Sequence, residues 1–183
     1  WLLQLLHARD LRDAKAVDAR RRADAAMQVL AARGGTGGKL ALLEATGRMP
    51  DALRLRALDL LGQTGEIELV DDFLRMLGDR DDKVRIAAAN ALGTAIAPHS
   101  DETGQQDISA EVASQRDKAI DGLRKLLIRD RVWQVRAAAC ENLAKLRCKA
   151  AIPALIDGYE AELARKKDPW AMDMRIHRRL EGL

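Results

Sequence analysis

Apolar residues recur along most of the chain at alternating spacings of three and four, the period of a helix with one buried face. Ile67, Val70, Phe73, Leu74 and Leu77 show it most plainly: they predict a helix over 66–77, with Gly78 as its stop signal and 79–82 as an acidic turn. Similar segments occupy 39–46 and 110–128. Each is followed by a second helical stretch with its own recurring order of residues. Leu53-Arg54-Leu55-Arg56-Ala57-Leu58 aligns with Val84-Arg85-Ile86-Ala87-Ala88-Ala89 at an offset of 31 residues. Val135-Arg136-Ala137-Ala138-Ala139-Cys140 repeats the order 51 residues further on. A fixed period of this kind marks a repeat architecture, in which each helical hairpin buries its apolar face against its neighbours.

The longer second interval has a location. Residues 98–108 are polar, rich in turn formers and without apolar periodicity, which predicts an inserted surface loop. Less regular copies flank the three clear ones. Residues 22–30 lie one period ahead of the first, followed by the glycine-rich run 34–38, which reads as a flexible hairpin turn. Residues 150–166 and 169–183 form a final pair, with Met172, Ile176 and Leu180 on one stripe. Pro50 and Pro169 each suit the first turn of a helix. The expectation is an all-α chain of about five hairpins, treated as one domain over 1–183. Because it opens on Trp1 and stops within an amphipathic pattern, it reads as a fragment of a longer polypeptide.

Composition sharpens this. One Phe, one Tyr and three Trp leave the core to Ala and Leu, and runs such as 87–89 and 137–139 favour close helix-on-helix packing. Lys and Arg number 31 against 28 Asp and Glu, a net charge of +3, too small to require a polyanionic partner. Cys140 and Cys148 would stand roughly 12 Å apart along one helix, so no disulfide between them is expected. No apolar run approaches the roughly 20 residues needed to span a bilayer, and the chain reads as soluble.

The order of acidic turn, Val-Arg, Ala-rich helix and Leu-Gly resembles the HEAT repeat family, most closely its short bacterial type and phycobilin lyase-like proteins. The resemblance implies a right-handed α-α superhelix, an α-solenoid, whose second helices line a concave face. It also implies an Asp before each second helix and an Arg within it that hydrogen-bond between successive repeats. Asp79 with Arg85, and Asp130 with Arg136, match that spacing of six. Arg48 stands where Arg54 would need an acid, and Asp173 stands where the final repeat would carry its Arg, so those two repeats should stack less regularly.

Chemistry is sparse. His7, His99 and His177 lie in different repeats, and there is no Cys-x-x-Cys, His-Glu-x-x-His or nucleophile elbow, so neither enzyme, metal nor cofactor is expected. The acidic pairs Asp71-Asp72 and Asp81-Asp82 read as a solvated face and a helix start, respectively. The second-helix positions turned away from the apolar face are Ala52, Asp59 and Gln63, then Lys83, Asn90 and Thr94, then Gln134, Glu141 and Lys145. Their signs alternate, which suits a protein or peptide partner better than a phosphate backbone. Arg178 joins them as a candidate contact, and Trp133 and Trp170 as anchors. The alternatives are a nucleic-acid-binding module, drawing on Arg20-Arg21-Arg22 and the basic residues of 164–183, and a lyase-like or enzyme-associated repeat.

Overall fold

The structure is a computed structural model that describes residues 16–33, 35–47, 49, 51–97, 109–146 and 149–165. Eight α-helices and no strand occur among them. The chain divides into two compact units, one up to Thr64 and one from Gly65.

The first unit holds α1 (Ala16–Arg33), α2 (Gly35–Thr46) and α3 (Asp51–Gln63), each packed against the other two. Ala23, Met27, Leu42, Ala57, Leu58 and Leu61 are fully buried among them. The glycine-rich run is not the loop its composition suggests: α2 starts at Gly35, so Gly35, Gly37 and Gly38 lie in its first turn. Gly35 enters with φ at 55°, the left-handed region that favours glycine. A Cβ on Gly38 would stand 3.4 Å from the carbonyl of Leu30. That is ordinary contact, and a Cβ on Gly35 or Gly37 would meet nothing within 4 Å, so helix formation prevails here over the poor propensity of glycine.

The second unit opens at Gly65, whose φ of 68° turns the chain out of α3. A 3-10 turn (Ile67–Leu69) leads into α4 (Val70–Met76), followed by α5 (Asp82–Ile96), α6 (Ala110–Arg129) and α7 (Trp133–Lys145). A further 3-10 turn (Lys149–Ala151) precedes α8 (Ile152–Arg165). The segment expected as one helix over 66–77 is thus split, the 3-10 turn placing Leu69 and Val70 in the core. Asp81 caps α5, its Oδ1 accepting from Lys83 N at 2.9 Å, and Ser109 caps α6 through Val112 N at 3.3 Å.

Packing follows the repeat. The first helices α4, α6 and α8 touch in succession, and the second helices α5 and α7 touch in a parallel layer. Between the layers lie Phe73, Val84, Leu92, Leu123, Leu127, Val135 and Leu143, each fully buried. Ala88, Ala89, Ala95 and Ala139 are also fully buried, small side chains that let the second helices approach. Glycine sockets key helix to helix. A Cβ on Gly93 of α5 would fall 2.6 Å from Cγ of Asn142 in α7. One on Gly122 of α6 would overlap Leu74 of α4, and one on Gly158 of α8 would fall 2.5 Å from Cγ of Leu127 in α6. The hairpins α2/α3, α4/α5 and α6/α7 are complete among the described residues. The expected loop over 98–108, the expected helix over 169–183, Pro50 and Cys148 lie outside them.

Candidate interaction face

Each regular repeat ties its turn to the next through one arginine. Arg85, from the second position of the Val-Arg pair, points back along α5 and donates from Nη1 to the carbonyls of Asp79 (2.9 Å) and Arg80 (3.2 Å) in its own turn. Nε and Nη2 continue into the following repeat, donating to the two carboxylate oxygens of Asp130 at 2.8 and 3.1 Å. Asp130 in turn accepts from Val132 N at 2.8 Å, which shapes the turn into α7. Arg136 repeats the arrangement one step later: Nη1 donates to the carbonyls of Asp130 (3.1 Å) and Arg131 (3.2 Å), while Nε and Nη2 take both oxygens of Glu162 at 2.5 and 3.1 Å. The side-chain partner of each Arg is thus the acid of the next repeat, and the Asp six residues earlier contributes its backbone carbonyl. The bidentate bond to Asp130 raises the Arg85 pKa above its ordinary value, outweighing the cost of partial burial.

Glu162 is the partner that sequence register missed. Its side chain is 6% exposed and it lies on α8 rather than in a turn, so no spacing of six reveals it. The first unit has another arrangement. Arg56 donates from Nε to Asp24 of α1 at 3.0 Å and from Nη1 to Asp59 at 2.7 Å, joining α3 to α1 and raising the Arg56 pKa, chiefly through Asp24. Among the first helices of the second unit, Asp71 of α4 receives Gln115 and Lys118 of α6, each at 3.3 Å, and Arg124 of α6 reaches Asp157 of α8 at 2.6 Å. The Gln115 bond and then that of Lys118 lower the Asp71 pKa below the usual carboxylate value.

These bonds fix the backs of the second helices and leave one stripe of each in solvent. On α5, Lys83, Asn90 and Thr94 are exposed. On α7, the corresponding Gln134 and Lys145 are exposed and Glu141 is half-buried. In the first unit, α3 exposes Ala52, Asp59 and Gln63. The stripe is narrow because Asn142, only one residue past Glu141, is fully buried against Gly93. Asn142 Nδ2 donates to the carbonyl of Ala138 (2.8 Å) within α7 and to Oδ1 of Asn90 (2.7 Å) on α5. Trp133 sits at the start of α7 with 46% of its surface exposed. Trp170 and Arg178 lie outside the described residues.

On the first-helix layer, α4 and α6 border an open groove of about 570 Å3 with Leu74, Leu77, Gly122 and Leu126 in its walls and Lys118, Lys125 and Arg129 around them. Lys125 is paired there with Asp121 at 2.6 Å. No group of His, Cys, Asp or Glu among the described residues is placed to hold a metal ion. Cys140 is buried. No helix among them is long and apolar enough to cross a membrane.

Residues 40–107 match the model of the family described as HEAT repeats, and residues 116–146 match that of the HEAT repeat. The chain belongs to the HEAT-repeat family. No curated protein matches it. HEAT repeats are generally protein-interaction scaffolds and are typically non-catalytic. The matches run from α2 through α7, so the HEAT repeats carry Arg85, Asp130, Arg136 and all three second-helix stripes, while Glu162 on α8 lies beyond them.

Proposed function

We propose that this HEAT-repeat chain is a non-catalytic scaffold that holds a protein or peptide on the face lined by its second helices. The observation that carries the reading is the shared register of the exposed stripes. Asp59 and Gln63 on α3, Lys83, Asn90 and Thr94 on α5, and Gln134, Glu141 and Lys145 on α7 occupy the same repeat positions, while the arginines one turn away are spent on the stack. On α5 and α7, which pack directly against each other, the polar stripe is held on a preorganised backbone, which lowers the ordering cost of binding. A carboxylate stands in this register at Asp59 and again at Glu141, and acidic side chains on a contact stripe disfavour a phosphate backbone. Trp133, at the edge of the α7 stripe, supplies a large amphipathic surface.

The test is affinity capture from the native host with the wild-type chain and with a variant carrying Lys83→Glu, Glu141→Lys and Lys145→Glu. Proteins retained by the wild type and lost with the variant support the reading. Capture that is indifferent to the variant overturns it, as does tight nucleic-acid binding that falls steeply with salt.

A further inference from the structure

We infer that the stripe shared by α5 and α7 selects a peptide that presents hydrogen-bond acceptors, carboxylates above all, and that Asn90 is the residue that sets this preference. The inference rests on the second-helix face being the binding face. Its starting point is the orientation of two amides. Asn142 is fully buried and one of its amide atoms lies 2.8 Å from the carbonyl of Ala138, which can only accept. That atom is therefore the nitrogen, and the same Nδ2 supplies its second hydrogen to Asn90 at 2.7 Å. The Asn90 atom turned inward must then be its oxygen. Its Nδ2, with two hydrogens, is left facing solvent in a fixed direction and has no partner among the described residues.

An exposed amide ordinarily rotates to donate or accept as a ligand requires. Here the inward bond removes that choice, and Asn90 offers the partner a donor only. The buried Oδ1 of Asn142 has no hydrogen-bond partner among the described residues, and reversing that amide would set this oxygen against the Ala138 carbonyl, two acceptors in contact. The surroundings agree in sign. Lys83 on α5 and Lys145 on α7 are exposed and form no ion pair among the described residues; Thr94, whose hydroxyl proton goes to the Asn90 carbonyl at 2.9 Å, adds no donor to them. Glu141 is the stripe's carboxylate here and is half-buried. Lys83 lies seven residues before Asn90, roughly 10 Å along the helix at 1.5 Å per residue. A peptide in the polyproline II conformation, with three residues per turn and about 3.1 Å per residue, covers that distance in about three residues and turns residues i and i+3 to the same side, so one carboxylate on Lys83 and an acceptor three residues away on Asn90 fit together.

Asn90→Asp is the decisive variant. The aspartate keeps an oxygen for Asn142 Nδ2 and replaces the outward donor with an acceptor, and an unchanged thermal midpoint would confirm that the fold is retained. A randomised 12-residue peptide display library is panned in parallel on the wild type, on Asn90→Asp and on Lys83→Glu. The expected result is enrichment of Asp and Glu three residues apart on the wild type, with the selected peptides binding Asn90→Asp at least ~10-fold more weakly, the scale of one charge-assisted hydrogen bond. Peptides that lose affinity with Lys83→Glu yet bind Asn90→Asp as well as the wild type overturn the donor assignment and leave the face in place. Peptides indifferent to both variants, or none enriched, overturn the face itself.

Discussion

At the scale of single residues, the cost of a substitution depends on what it leaves behind. Arg136 and Glu162 are 7% and 6% exposed, so Arg136→Ala breaks a buried ion pair, for which a loss of about 3 kcal/mol is expected. Arg85→Ala should cost less, about 1 to 3 kcal/mol, because Asp130 keeps its bond from Val132 N. Arg129, exposed beside the groove, should tolerate Ala within about 0.5 kcal/mol. Urea melts of the three variants should rank in that order, and equal midpoints would deny Arg85 and Arg136 any part in stacking. Gly93 tests packing by the same logic. Gly93→Ala drives a methyl into Asn142 and should lose about 1 to 3 kcal/mol, whereas adding Asn142→Ala makes room, so the double variant should lose well under the sum of the two single losses.

At the scale of helices, two glycines in equivalent sockets should respond differently. Gly122 on α6 meets chiefly the tip of Leu74, a half-exposed side chain free to swing aside. The gain in helix propensity, about 1 kcal/mol for Ala over Gly, should leave Gly122→Ala near neutral. Gly158 on α8 meets the branch of Leu127, which is fully buried and has nowhere to move. Gly158→Ala should therefore destabilise, by about 1 to 3 kcal/mol in a thermal or urea melt. Similar losses for both variants would mean that the first helices are not keyed in this way. The Asp71 bonds from α4 to α6 bear on acid stability. Because its folded-state pKa is lowered, chiefly by Gln115, the stabilisation is complete above the ordinary carboxylate pKa and fades as pH falls through the lowered value. Asp71 and Lys118 are both largely solvated, so Asp71→Asn should cost less than about 0.5 kcal/mol at neutral pH and nothing measurable in strong acid.

Across the whole molecule, interactions run mainly between neighbouring repeats, which predicts how losses combine. Arg56 bonds Asp24 and Asp59, none of which Arg136 touches, so Arg56→Ala and Arg136→Ala should add within about 0.5 kcal/mol. Arg85 and Arg136 both converge on Asp130, one on its carboxylate and one on its carbonyl, so their combined loss should depart from the sum. A four-variant urea cycle for each pair decides the matter, and additivity in both would argue against coupling through Asp130.

Repeat period, helix positions and the solvent side of each second helix were legible in the residues alone, because a 3.6-residue apolar period and a recurring Val-Arg pair express the same stacking constraint at every step. The partners within that stack were not. Glu162 meets Arg136 from a helix, Asn142 fills the space over Gly93, and Leu74 and Leu127 fill those over Gly122 and Gly158, each pair brought together from different helices by the tertiary fold. Helix propensity misread the glycine-rich start of α2, a helix that packs against both other helices of its unit. The direction of the Asn90 amide likewise depends on a carbonyl and a buried asparagine one repeat away. Periodicity in one dimension specifies which face a residue occupies, whereas the group it meets there is set by how neighbouring helices interdigitate.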